Sequence, residues 1–168
     1  MFRLSALVLF LSAAIPWWPS DRVEVPGVPL PARRYAPVVL FVGDDGPALP
    51  RARGALERVL STPVGSKARE LLDAGLLAGP LIIDLNDRGE NYTSYRVPGR
   101  ELGETIHFDP WSRPLVETER GIEEALPETV LAHELGHAVF KLVSEEAVIQ
   151  AIENPVREQM GMPRRSHF

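Results

Sequence analysis

The chain has no cysteine among its 168 residues, which removes both a disulfide framework and a thiolate metal site. Any metal here must be held by histidine, carboxylate and water. Basic residues are also in deficit: 18 Lys and Arg against 23 Asp and Glu give a net charge of −5. That balance speaks against a nucleic-acid-binding surface, and the pairs Arg33-Arg34 and Arg164-Arg165 are too small to make one. The apolar run Leu4 to Ile15 falls short of the length that marks a membrane span by itself. Internal repeats and low-complexity tracts are lacking too. At 168 residues and 45 % hydrophobic, the chain is long enough for one domain with its own core and too short for two comfortable ones.

Met1-Phe2-Arg3 followed by Leu4 to Ile15 has the basic start and apolar core of a secretory signal. Residues 1–19 are therefore expected to direct export to a secreted or periplasmic location, or else to tether the protein to a membrane uncleaved. The lack of cysteine fits either compartment. Pro26, Pro29, Pro31 and Pro37 make 20–37 an extended connector, and 38–168 is the domain.

Within it, Val38 to Val42 reads as a buried strand, Pro50 to Leu60 and Gly65 to Ala74 as helices with Gly75 as a stop, and Leu81 to Leu85 as a second strand. Asn91 to Val97 alternates as a hairpin partner of that second strand would, and Glu104 to Pro110 is a third strand candidate. Strands precede the most informative segment and helix follows it. The expected fold class is α+β, with a small mixed or antiparallel sheet packed on helices.

The informative segment is His133-Glu134-Leu135-Gly136-His137. Residues four apart on a helix lie one above the other, so two imidazoles can grip one ion from one face. Glu134 lies about 100° round the helix from His133, beside the ion's open position. Pro127 and Glu128 open the helix, and Val130, Leu131, Leu135, Ala138, Val139 and Leu142 give it an apolar face. With 4 His in the chain, chance would produce HExxH at a frequency on the order of one per cent, so the match is informative.

Hydrolytic zinc keeps three protein ligands and an open position, which leaves one ligand to find. The position six residues after His137 is Val143, which excludes the three-histidine arrangement. Two antiparallel helices joined near residue 145 would bring Glu153 alongside His137, because each lies eight residues from the bend. Glu146 reaches the ion only if the first helix breaks soon after His137, and Glu145 ranks below both. Ser144 reads as an N-cap, with Glu145 and Glu146 as a solvated first turn that complements the helix dipole. Pro155 lies where that second helix would end or kink.

From Leu131 onward, LAHELGHAVF followed by EEAVIQAIENPVREQMGMPRRSHF resembles the zinc metallopeptidase domains of bacterial effectors and toxins of the M91 type. The matching positions are Glu153-Asn154, Arg157, Gly161, Pro163, Arg164 or Arg165, and Phe168. Ile106 to Pro110 is similar to the strand that precedes the catalytic helix in those domains. The resemblance implies a zincin-like fold with a Glu third ligand and peptide-bond hydrolysis.

The expectation is thus a Zn2+ metallopeptidase acting on a protein or peptide substrate, with no nucleic-acid partner and membrane contact only through an uncleaved N-terminal segment. His133, His137 and Glu153 hold the ion while Glu134 draws a proton from the metal-bound water that attacks the carbonyl. Arg157 either steadies the oxyanion or the third ligand's carboxylate, or forms a structural ion pair. His107 reads as packed or hydrogen-bonded rather than catalytic. The competing reading is a catalytically silent binding module, an inhibitor or interaction protein, which would be expected to have lost Glu134 or one histidine.

Overall fold

The structure, a computed structural model, describes residues 39–43, 46–75, 77, 79–95 and 104–166. The expected signal segment 1–19 and connector 20–37 lie outside these residues, as do His167 and Phe168. Among the described residues no helix is long and apolar enough to cross a membrane.

The chain runs β1 (Val39–Val42), α1 (Ala48–Leu60), α2 (Pro63–Asp73), β2 (Leu81–Leu85), β3 (Tyr92–Ser94), β4 (Thr105–Phe108), β5 (Leu115–Thr118), β6 (Gly121–Glu124) and α3 (Pro127–Ala138). A last helical stretch follows: α4 (Glu145–Val148), a π-helical turn (Ile149–Glu153) and α5 (Asn154–Gln159). It is a mixed α+β domain.

Local chemistry explains most of these elements. Helix α1 buries Ala52, Ala55, Leu56, Val59 and Leu60 on one stripe, the spacing of an amphipathic helix. Thr62 caps α2 by accepting from the Gly65 amide at 3.0 Å, and Pro63 fills the first-turn position where no amide donor is needed. Gly65 is required there, since a Cβ would stand 1.8 Å from the Val59 carbonyl oxygen. Gly75 ends α2 with a φ of 69°, where a side chain is disfavoured.

The main sheet has the order β1-β2-β4-β3. β1, β2 and β4 are parallel, and β3 lies antiparallel to β4 at the edge. This corrects the expected hairpin between the second strand and Asn91 to Val97: β4 inserts between them, a long-range pairing that alternation in β3 cannot specify. One face of the sheet is apolar, with Ile83, Ile106 and Phe108 fully buried, and α1 and α3 pack there. The other face carries Asp84, Ser94 and His107.

β5 and β6 form a separate hairpin that the sequence reading had not marked. The C-terminal segment pairs onto it, through Glu119 N to Arg164 O at 3.0 Å and Ser166 N to Glu117 O at 2.9 Å. The chain end is thereby returned to the base of α5.

Helix α3 is buried almost all round, with Leu131, Ala132 and Ala138 inaccessible. A helix with that much apolar contact is the centre of its domain. Pro155 does not end the final helix. The π turn directly precedes it, with the Asn154 amide bonded to the Ile149 carbonyl, and the helix resumes through Gln159. Such a bulge accommodates a residue with no amide hydrogen.

Candidate metal centre

Helix α3 places His133 and His137 one turn apart on the face toward α4. Their Nε2 atoms are 3.3 Å apart. Glu145 closes the triangle, with Oε2 at 2.9 Å from His133 Nε2 and Oε1 at 3.3 Å from His137 Nε2. Ligands at the corners of a tetrahedron with 2.0–2.1 Å bonds stand about 3.3–3.4 Å from one another. These three side chains lie close enough together to bind a metal ion.

The other ring nitrogens fix the orientation. His137 Nδ1 donates to the Leu142 carbonyl at 2.6 Å. His133 Nδ1 meets Glu153 Oε2 at 3.1 Å. A carboxylate and a carbonyl can only accept, so the hydrogens belong on both Nδ1 atoms and the Nε2 lone pairs face inward. Two lone pairs and a carboxylate oxygen converging at such distances repel unless a cation lies among them.

Glu153 therefore does not occupy the place that the eight-and-eight spacing assigned to it. It contacts His133 from the far side of the ring, and Glu145 stands where the third ligand was expected. The physical reason is the connection. Helix α3 ends at Ala138, and Lys141 adopts a φ of 57°, tied down by its ammonium 2.6 Å from Glu104. That left-handed residue turns the chain so that Leu142 N bonds Gly136 O at 3.2 Å and the Leu142 carbonyl points back at His137. Ser144 then caps α4, accepting from the Ala147 amide at 3.4 Å, and the first residue of α4 is Glu145. The early break that sequence reasoning required for Glu146 does occur, and it delivers its neighbour.

A network from the C-terminal motif anchors Glu153, which is 2 % exposed. Arg165 donates to its Oε2 at 3.0 Å and Arg157 to its Oε1 at 3.4 Å. Arg157, fully buried, also donates from Nε to the Pro163 carbonyl at 2.7 Å. Asn154 holds the Arg165 backbone in both directions, at 3.0 and 2.7 Å. Arg157 is thus paired with Glu153, the carboxylate expected as third ligand. Burial opposes charge on Glu153, but the His133 hydrogen bond and the two arginines prevail and hold its carboxyl below the usual range. On His133 burial again opposes charge, and the Glu153 bond with the Glu134 and Glu145 charges raises it above its ordinary value.

Glu134 is buried beside this triangle. Thr93 on the edge strand β3 donates its hydroxyl to Glu134 Oε2 at 2.8 Å and lies 3.1 Å from the Glu134 carbonyl. Burial pushes the Glu134 carboxyl up, while the Thr93 bond and the two imidazoles pull it back in part. Thr93 was missed in the sequence, where it read only as one residue of an alternating strand.

Asp109, at the strand-ending turn, accepts from the Trp111 amide and the Gly89 amide, both at 2.8 Å. It shapes loops and stays out of the centre. Comparison with protein-family models, with curated proteins and with solved structures finds no match for the chain.

Proposed function

We propose that the chain is a zinc-dependent metallopeptidase whose ion is held by His133, His137 and Glu145, with Glu134 as general base. The observation that carries this reading is the inward-facing triangle of two Nε2 atoms and one carboxylate, with a second, buried carboxylate beside it that takes no part in the triangle. A set of two histidines and one carboxylate with an open position is that of hydrolytic zinc sites, and the lack of cysteine leaves no softer alternative. When bound, zinc polarises a carbonyl and acidifies water to a pKa of about 7.

The chain's own residues supply the rest. Glu134 takes a proton from the attacking water at a carboxylate oxygen and returns it to the leaving amine nitrogen, so that one peptide bond and one water become a carboxylate and an amine. Its raised pKa suits that exchange near neutrality. Thr93 keeps the carboxylate in one orientation, and Glu153 and Leu142 keep the imidazoles in theirs. The resemblance of the segment from Leu131 onward to effector metallopeptidases implies the same chemistry.

The test is metal analysis of the purified protein and of Glu134→Gln, with cleavage scored on an unstructured protein such as casein. The reading expects about one zinc per chain in both and cleavage only by the parent, with a loss of about 10²–10⁴-fold in the variant. Metal in neither protein would favour the silent binding module.

A further inference from the structure

On the sheet face opposite α3, three side chains outside the metal centre form a chain of contacts. Asp84 Oδ2 lies 2.9 Å from His107 Nδ1. His107 Nε2 lies 3.2 Å from Ser94 Oγ. The sheet register explains the alignment. Asp84 is the direct neighbour of His107 across the β2–β4 pair, while Ser94 pairs with Thr105, two residues before His107, and so reaches the imidazole diagonally. Tyr92, directly across from His107, stacks on the ring at 4.3 Å between centroids and 22° between planes, and fixes its tilt. All three groups are only partly buried, so a small molecule can reach them.

The order of atoms decides the protonation pattern. An ionised carboxylate accepts only, so Asp84 selects the tautomer with hydrogen on Nδ1 and leaves Nε2 as an acceptor. The nearest hydroxyl to that acceptor is Ser94, whose other neighbour, the Thr105 carbonyl, is farther away at 3.5 Å. An acid, an imidazole and a serine in this sequence form the relay that activates a serine for attack, a constellation recognised by geometry and independent of fold. Asp84 and His107 also lie toward the carboxyl ends of the parallel strands β2 and β4, where open sheets of this kind place their ligands.

We infer that Ser94, His107 and Asp84 form a second, metal-independent site that takes carboxylic esters with a good leaving group. Ser94 Oγ attacks the ester carbonyl carbon as its proton passes to His107 Nε2. The carbon–oxygen bond to the leaving alkoxide breaks, and the alkoxide departs with the proton from His107. Water then attacks the acyl-serine, again losing a proton to His107, and Ser94 is regenerated with release of a carboxylic acid. Asp84 stabilises the imidazolium at each stage.

The experiment uses the full chain in excess chelator. It is treated with a fluorophosphonate, which reacts with activated serines, and separately with p-nitrophenyl acetate. The expected results are one adduct per chain mapping to the peptide that holds Ser94, and nitrophenol release insensitive to the chelator. Ser94→Ala should lose both, and His107→Gln should slow both by about 10²-fold or more, with melting temperatures close to the parent's. Labelling of Ser94 no greater than in heat-unfolded protein would overturn the proposal, as would undiminished ester turnover in Ser94→Ala. The adduct is read on the unaltered protein, so the test stands even if a variant folds poorly, and the chelator separates it from any failure of the zinc reading.

Discussion

Replacing Glu153 by Gln tests the division of labour between that residue and Glu145, because the two substitutions should leave opposite signatures. Glu153 accepts from His133, Arg157 and Arg165 in a pocket where it is 2 % exposed. Gln keeps one acceptor oxygen and the volume but removes the charge, leaving the buried Arg157 with the Pro163 carbonyl and, among the described carboxylates, Glu123 at 4.0 Å. Breaking one partner out of a buried ion pair costs about 3–5 kcal/mol, and the surviving Glu123 contact argues for the lower end, about 3 kcal/mol. For a domain of this size that lowers the melting temperature by about 10 °C. The metal, by contrast, loses only an orienting contact, worth about 10–100-fold in affinity.

Glu145→Gln reverses the pattern. Its side chain is 55 % exposed, so its removal should change stability by no more than about 0.5 kcal/mol. Loss of a direct ligand should lower zinc affinity by more than the ~100-fold ascribed to outer contacts. The two quantities are read separately, by thermal melts in chelator and by competition for zinc against a chromophoric chelator. If Glu145→Gln retains zinc within about threefold of the parent and Glu153→Gln loses it altogether, then Glu153 is the ligand and the division argued here is wrong.

Thr93→Val removes the hydrogen bond that holds Glu134 down, so its pKa should rise further. The acidic limb of the cleavage profile should then move to higher pH, and Thr93→Ser should restore it. His133 in the metal-free protein is held above its ordinary 6.5, so its pairing with Glu153 stabilises the fold fully below pH 6.5 and is lost as pH rises through the raised value. Melts in chelator should show a decline with rising pH over that window, absent in Glu153→Gln. Zinc needs the other ring nitrogen, Nε2, unprotonated, so affinity should fall as the imidazole takes up its second proton on acidification, beginning above pH 6.5. At Gly136 an added Cβ would stand 2.7 Å from Val148 Cγ1 and 3.3 Å from Ile152 Cγ1. Gly136→Ala gains about 1 kcal/mol of helix propensity and loses more to overpacking, for a net loss of about 1–2 kcal/mol. It should also weaken zinc binding, since the displaced helix carries Glu145.

The parts of the centre that lie within one turn of helix were legible in the sequence. His133, Glu134 and His137 are related by the fixed geometry of α3, and Pro127 and Ser144 announce where the two helical stretches begin. The third position was not legible, because it depends on a connection of a few residues with one unusual torsion. Lys141 takes a left-handed φ that nothing in its identity signals, since glycine or asparagine would ordinarily mark such a turn. The assumption of a compact bend near residue 145 then put Glu153 level with His137, whereas the early end of α3 puts it level with His133. Strand order failed for a related reason: Leu81 to Leu85 and Asn91 to Val97 look like a hairpin locally, and only the later Thr105–Phe108 segment, pairing with both, keeps them apart.

The charge distribution around α3 explains why the arrangement suits a dication rather than a proton alone. His137 lies in the last turn of α3, the end to which the aligned peptide dipoles give a partial negative charge. Three carboxylates, from Glu134, Glu145 and Glu153, add to it. The nearby arginines, Arg157 and Arg165, are both directed at Glu153, and Arg157 also lies 4.0 Å from Glu123. What remains at the Nε2 triangle is the field of Glu134, Glu145 and a helix end, with two lone pairs pointing into it. One proton on His133 relieves part of this, adding to the Glu153 bond that does most to raise its pKa against burial. A divalent ion relieves more, by accepting both lone pairs and the Glu145 oxygen at once and by offsetting the buried charge of Glu134. The arginine clamp on Glu153 thus bears on the centre indirectly: a carboxylate already satisfied by two guanidinium groups is held in place to orient the His133 imidazole.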